Sequence, residues 1–195
     1  MNKINYGDDS PIAAFATTPG LSALSIIRCS GKGSLELAAS VFSSPKKLLE
    51  AKGNTVIHGW IVAFNSGKET SSGRLPVDEV LISVFRTPKS YTGEDSIDIC
   101  CHGGGTAGKE VLAALEAAGF REALPGEFTF RAFINGKIDL TRSESVMEIV
   151  SAKTDTALNH AAERLSGWLE KEINSIKKSL VELLSRAELF LEASA

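Results

Sequence analysis

Apolar residues are spaced in two different ways along this chain. Up to about residue 124 they form short runs broken by Gly and Pro; from Thr141 onward they recur at steps of three and four, and the sole Gly or Pro there is Gly167. The first pattern predicts strands and a few helices. Pro11–Thr17 reads as a short buried strand, Thr18-Pro19-Gly20 as a turn, and Ala23–Ser30 as a second strand stopped by Gly31. Ser34–Phe42 has helical spacing with Ser34 as N-cap, and Lys46–Gly53 is loop-like. Thr55–Phe64 and Val77–Phe85 are β-branched and aromatic, joined by the Ser/Gly/Lys-rich stretch Asn65–Gly73, which predicts a long hairpin. A loop over Thr87–Glu94 leads to a strand at Asp95–Cys101, with Ile97 and Ile99 on one face, broken by Gly103 to Gly105. Val111, Leu112, Leu115 and Ala118 then mark one face of a helix that Gly119 closes.

The second pattern is helical. Thr141-Arg142-Ser143-Glu144 matches a capping box, and Val146, Ile149 and Val150 form the apolar face behind it. From Thr154 the apolar positions run through Leu158, Leu165, Ile173, Ile176, Leu180, Leu183 and Phe190. Their spacing predicts one amphipathic helix of roughly 40 residues, about 60 Å long. A single apolar stripe of that length needs partner helices, which are expected from another chain or from sequence beyond Ala195. The fold class is therefore α+β. A mixed-sheet domain over 1–124 is followed by a connecting elbow over 125–140 and a partial helical domain over 141–195.

Composition narrows the picture modestly. At 195 residues, 43% hydrophobic and 23% charged, the chain suits a soluble globular protein of one domain plus a helical extension. Its formal net charge of −3 gives no argument for nucleic-acid binding. Three cysteines, two of them adjacent (Cys100 and Cys101), make a poor disulfide set and point to a reduced, cytoplasmic setting. The N-terminus carries Asp8 and Asp9 without a long apolar run, and no stretch approaches membrane-span length. The elbow Pro125–Leu140 stands out. It holds Arg131, Lys137, Glu127, Asp139 and three phenylalanines, far more than a plain linker needs.

Several motifs suggest chemistry and have to be weighed. Gly103 to Lys109 fits G-x-x-x-x-G-K between a strand and a helix, but Glu110 occupies the position where a phosphate loop needs Ser or Thr. A glycine-rich turn made for close packing is the better account. His102-Gly103-Gly104-Gly105 resembles the oxyanion loop of lipases, yet no G-x-S-x-G elbow accompanies it. Cys100-Cys101-His102 alternates faces on a strand, which spoils a metal site and suits core packing for at least one thiol. Two charged residues resist a purely solvated reading: Arg28 follows Ile26-Ile27, and Asp98 sits between Ile97 and Ile99. Charge in runs fit for burial must be paired or must meet a ligand. Lys137 in the elbow is the third candidate. Glu127, Arg131 and Asp139 are expected to form structural ion pairs.

Three quoted pieces also carry a resemblance. Thr18-Pro19-Gly20 with Ile26 to Gly31, then Ser90 to Asp95 running on to His102-Gly103-Gly104, then Pro125 to Leu140 resemble, in order and spacing, the tRNA-modification GTPase family called MnmE or TrmE. The resemblance covers essentially the whole chain, but only the family's amino-terminal part. It implies a folate-binding α+β domain like that of the glycine-cleavage T-protein, followed by the first helices of the helical domain. It further implies a bound tetrahydrofolate derivative (5-formyl- or methylene-tetrahydrofolate) and a homodimer through this domain. The whole protein would work with a flavoprotein partner of the MnmG/GidA type to modify C5 of the wobble uridine in tRNA. GTP, Mg and K would belong to a GTPase domain that this chain lacks, so the chain alone would not hydrolyse GTP. The family's folate contacts fall on Arg28, Asp98 and Lys137, with no catalytic residue and no metal assigned. Asp98 departs from the family's usual Glu and retracts the carboxylate by about 1.5 Å. The alternatives are a dimerisation scaffold with a vestigial pocket and a degenerate P-loop nucleotide binder.

Overall fold

A computed structural model describes residues 8–18, 20–64 and 74–193, without the side chains of Phe64 and Arg74. The chain divides into two compact units, Met1–Lys137 and Ile138–Ala195. The first contains β1 (Ile12–Phe15), β2 (Leu24–Ser30), α1 (Ser34–Ser40), α2 (Pro45–Leu49), β3 (Thr55–Phe64), β4 (Arg74–Phe85), β5 (Ser96–His102), α3 (Ala107–Ala118), β6 (Arg121–Glu122) and α4 (Glu127–Ile134). The strands form one six-stranded sheet in the order β3-β4-β5-β2-β1-β6, antiparallel except for the β1–β6 pair. This is an α+β unit, as the two patterns of apolar spacing require.

Strand alternation gives the sheet two unlike faces. One carries Ile27, Cys29, Ile57, Ile61, Val80, Ile82, Val84, Ile97, Ile99 and Cys101, all buried beneath Leu35 and Ala38 of α1, Leu48 of α2, and Val111 and Leu115 of α3. The other face stays open. Leu24, Val56, Trp60 and Leu81 stand exposed on it, and Ile26, Arg28, Asp98 and Cys100 are half-buried. Adjacent Cys100 and Cys101 thus point opposite ways, and burial pushes the Cys101 thiol up to about 11. All three cysteines are free.

Local chemistry corrected several expectations. Lys46–Gly53 is not all loop: Pro45 opens the short helix α2, whose Leu48 is fully buried. The N-cap of α1 is Gly33 rather than Ser34, because the Ser34 hydroxyl donates to the Asp95 carbonyl at 2.9 Å. The elbow holds a helix, α4, that belongs to the first unit. In the second unit, α5 (Leu140–Ser151) is capped by Asp139, whose carboxylate accepts from the Arg142 amide at 2.9 Å, and not by Thr141. The expected single long helix is two, α6 (Asp155–Leu165) and α7 (Trp168–Ala193). Gly167 sits between them at φ 78°, a left-handed conformation that ends a helix and lets the next begin. Apolar side chains of α7 such as Ile176, Leu180 and Phe190 are exposed within the described residues. Asn65–Gly73, the joining piece of the β3–β4 hairpin, and Pro19 lie outside the described residues.

In the glycine-rich segment after β5, packing explains Gly103, and a left-handed φ of 114° explains Gly104. A Cβ on Gly103 would lie 2.0 Å from the Ser22 carbonyl oxygen, while the Gly103 amide donates to the Ala23 carbonyl at 2.9 Å. Gly103→Ala is therefore expected to destabilise the first unit by about 1–3 kcal/mol. Denaturant unfolding checks this, and an unchanged midpoint would show that the backbone there yields easily.

Candidate functional site

The site begins with strand register. Arg28 of β2 and Asp98 of β5 are direct cross-strand partners on the open face. Arg28 Nε donates to Asp98 Oδ1 and Nη2 to Oδ2, both at 2.8 Å, a side-on bidentate pair. Both side chains remain partly exposed, at 32% and 21%. The hydrogen bonds to Asp98 outweigh the partial burial of Arg28 and raise its pKa further, so it stays a cation. The Arg28 guanidinium also lies over the Tyr91 ring, 5.3 Å from its centroid.

Lys137 reaches the same region by another route. Residues 86–95 form a loop between β4 and β5 that is tied to the end of α4 at several points. Lys137 Nζ donates to the Pro88 carbonyl at 2.8 Å, and Asn135 Nδ2 donates to the Thr92 carbonyl at 2.8 Å. Tyr91 Oη and Thr129 Oγ1 share a hydrogen bond of 2.9 Å. Gly93, at a left-handed φ of 83°, packs closely here, and a Cβ would lie 3.1 Å from Lys137 Cγ. The structure thus brings Arg28 and Asp98 into contact, and it holds Lys137 against the loop whose Tyr91 carries Arg28. It shows no direct contact from Lys137 to either partner. A cavity of about 350 Å³ flanks the same loop, lined by Lys32, Gly33, Glu36, Thr87, Gly93, Glu94, Asp95 and Asn135.

Beneath the loop lies an ion-pair network. Glu127 is fully buried and accepts from Arg121 Nη2 at 2.6 Å, from Arg131 Nη2 at 3.0 Å and from the Leu124 amide at 2.8 Å. Burial alone would raise its pKa; the hydrogen bonds from Arg121, Leu124 and Arg131 prevail and lower it. Arg131, itself buried, extends to Glu94 at 3.4 Å and to the carbonyls of Asp8 and Ser10 at 3.1 and 2.8 Å. Glu94 accepts from Ser30, which in turn bonds Thr92 at 2.6 Å. Glu127 and Arg131 are structural ion partners, as the sequence suggested, and Asp139, which also caps α5, pairs with Arg142 at 3.6 Å. Reading the sequence did not reveal that Tyr91 supports Arg28 or that Glu94 joins the network. The only signal for either was their place in the Ser90–Asp95 motif.

Among the described residues no group of three His, Cys, Asp or Glu side chains is placed to hold a metal ion. What the open face offers instead is a cation–carboxylate pair. Arg28 commits Nε and Nη2 to Asp98, so Nη1 remains for an outside acceptor, and each Asp98 oxygen keeps a second lone pair. With an aromatic ring and a nearby ammonium, this set suits a polar heteroaromatic ligand carrying carbonyl or carboxylate oxygens.

A family model described as "GTP-binding protein TrmE N-terminus" matches residues 11–137. The chain belongs to this family. The match ends at Lys137, where the first compact unit also ends. A "tRNA modification GTPase MnmE" of Treponema denticola is 48% identical over 98% of the chain and 39% of that relative. Proteins of the same name from Borrelia turicatae and Geobacillus thermodenitrificans are each 41% identical, over 94% and 93% of the chain and 38% of their own lengths. The chain therefore spans about two fifths of the length of the curated relatives it matches. No helix among the described residues is long and apolar enough to cross a membrane.

The buried carboxylate yields a prediction with a definite sign. Since the Glu127 pKa is lowered from its ordinary 4.5, its stabilising contribution is complete above that value and is lost as pH falls through the lower folded value. Glu127→Ala should destabilise the first unit by about 3–5 kcal/mol at neutral pH, because Arg131 is left buried with a weaker counter-charge. Glu127→Gln should flatten the fall in thermal stability between pH 5 and about pH 3. An acid profile identical to that of the unsubstituted chain would show that the network does not hold the fold.

Proposed function

We propose that the first unit binds a reduced folate on the open face of its sheet. The single observation that carries this reading is the exposed Arg28–Asp98 pair, backed by Tyr91 and joined through the 86–95 loop to Lys137. Asp98 would accept from the 2-amino and ring N–H groups of a pterin, and the two cations would meet the ligand's carbonyl and carboxylate oxygens. A 5-formyl- or methylene-tetrahydrofolate, when bound, supplies a one-carbon unit. Arg28, Asp98 and Lys137 would bind and orient that donor and take no chemical step themselves.

The same face supports dimerisation. Leu24, Val56, Trp60 and Leu81 leave an apolar area exposed beside the polar pair, and a second copy of the unit is its proposed cover. Leu81→Lys should convert a dimer to a monomer in sedimentation velocity while leaving the unfolding midpoint nearly unchanged. A dimer that persists would place the interface elsewhere.

Within the whole protein, the printed names of the relatives support a role in tRNA modification coupled to GTP hydrolysis. The proposed process modifies C5 of the wobble uridine in the cytoplasm, together with a flavoprotein partner of the MnmG/GidA type. GTP and its ions would be handled outside this chain. The three free cysteines fit that compartment.

Isothermal titration with 5-formyl-tetrahydrofolate tests the binding claim directly. Arg28→Ala and Lys137→Ala should each weaken binding by about tenfold or more, in line with loss of a charge-assisted hydrogen bond. No heat from a folded sample would end the folate reading. A second reading has one observation in its favour, because the side-on pair gives Arg28 and Asp98 their counter-charges without any ligand, as a pure dimerisation scaffold would. Asp98→Glu separates the two: a working pterin site should bind several times more tightly, and a scaffold should not respond.

A further inference from the structure

Resting on the folate reading, we propose that Tyr91 is a positioning residue of this site, holding Arg28 through its ring and linking that ring to the helix that ends at the Lys137 segment. Three observations converge on it. The Arg28 guanidinium lies over the Tyr91 ring at 5.3 Å while its edge is committed to Asp98. The Tyr91 hydroxyl bonds Thr129 Oγ1 on α4 at 2.9 Å. The flanking loop residues Pro88 and Thr92 accept from Lys137 and Asn135, just past the end of α4.

The physical consequence concerns how Arg28 is presented. An arginine side chain has several rotatable bonds, and fixing it on binding costs conformational entropy. Asp98 restrains one edge of the guanidinium in its plane, and the Tyr91 ring restrains it from the face. The two contacts together leave Nη1 pointing in one direction before any ligand arrives. Because Tyr91 is itself anchored to Thr129, that direction is set relative to α4 and to Lys137. A ligand that spans both cations then meets them at a fixed separation, which favours one length of ligand over shorter or longer analogues. Tyr91 remains 37% exposed, so part of its ring is also accessible beside the guanidinium.

The ring and the hydroxyl have separable roles, and this makes the proposal testable. Tyr91→Leu removes the ring; Tyr91→Phe keeps the ring and removes only the hydroxyl link to Thr129. With 5-formyl-tetrahydrofolate as the probe, Tyr91→Leu should bind about fivefold to tenfold more weakly, the scale of a partly desolvated cation–π contact. Tyr91→Phe should retain affinity within about threefold. In the Arg28→Ala background, Tyr91→Leu should have no further effect, since Tyr91 acts through Arg28. A second measurement is spectroscopic: the Arg28 Nε–H proton, deshielded by its bond to Asp98 in both proteins, should resonate upfield in the unsubstituted 195-residue chain relative to Tyr91→Leu, because only the former carries the ring current. Equal affinity of Tyr91→Leu and the unsubstituted chain, or an unshifted Arg28 resonance, would overturn the proposal while leaving folate binding intact. Failure of the unsubstituted chain to bind would instead sink the folate reading on which it rests.

Discussion

The architecture of the first unit depends on a carboxylate that has no contact with water. Glu127, in the first turn of α4, is fully buried, and such a group is tolerable only as part of a well-bonded charged network. Arg121 of β6, Arg131 of α4 and the Leu124 amide meet that requirement. Arg131 carries the connection on to Glu94, and Glu94 to Ser30 at the end of β2. One buried charge therefore fixes the sheet edge, the α4 helix and the 86–95 loop with respect to one another. Lys137 stands where it does because α4 does.

The second constraint is the two-residue period of the strands. On β2 and β5 it sends Ile27, Cys29, Ile97, Ile99 and Cys101 into the core and brings Arg28 and Asp98 to the other face as register partners. The pairing of a cation with a carboxylate there costs little, since both remain partly exposed. It also leaves a polar, partly satisfied group on an open face that carries both apolar side chains and the exposed His58–Glu79 pair. Folate binding and dimerisation are proposed for the same face, and the geometry offers a reason. A second copy laid over Leu24, Trp60 and Leu81 would remove water from around Arg28 and Asp98 and strengthen every charged contact made there.

Much of this was legible in the residues. The long strands, α3 and its Gly119 stop, the opposed faces of Cys100 and Cys101, and the ionic roles of Glu127 and Arg131 follow from spacing and burial costs. The misreadings have separate causes, one of them non-local and two of them local. Ser34 looked like a cap but bonds the Asp95 carbonyl across the fold, and the capping box at Thr141 lost to Asp139 just before it. Gly167 was the one visible break in an otherwise continuous helical stripe, and its positive φ outweighed the apolar period. Within the candidate site, Arg28, Asp98 and Lys137 could be named from the motifs, but the contacts that organise them could not. The stacking of Arg28 on Tyr91 and the tethering of the loop to α4 join residues 38 to 63 positions apart, as the residue numbers of these pairs show. No short-range pattern encodes such a distance.

The central claim is that the open face around Arg28 is the place where a reduced folate sits. A crystal structure of the chain grown with 5-formyl-tetrahydrofolate tests it most directly. The account predicts a pterin ring within hydrogen-bonding distance of both Asp98 and Arg28, with Lys137 turned toward the ligand. A folate bound elsewhere, or clear density showing the Arg28–Asp98 pair untouched at saturating ligand, would contradict it.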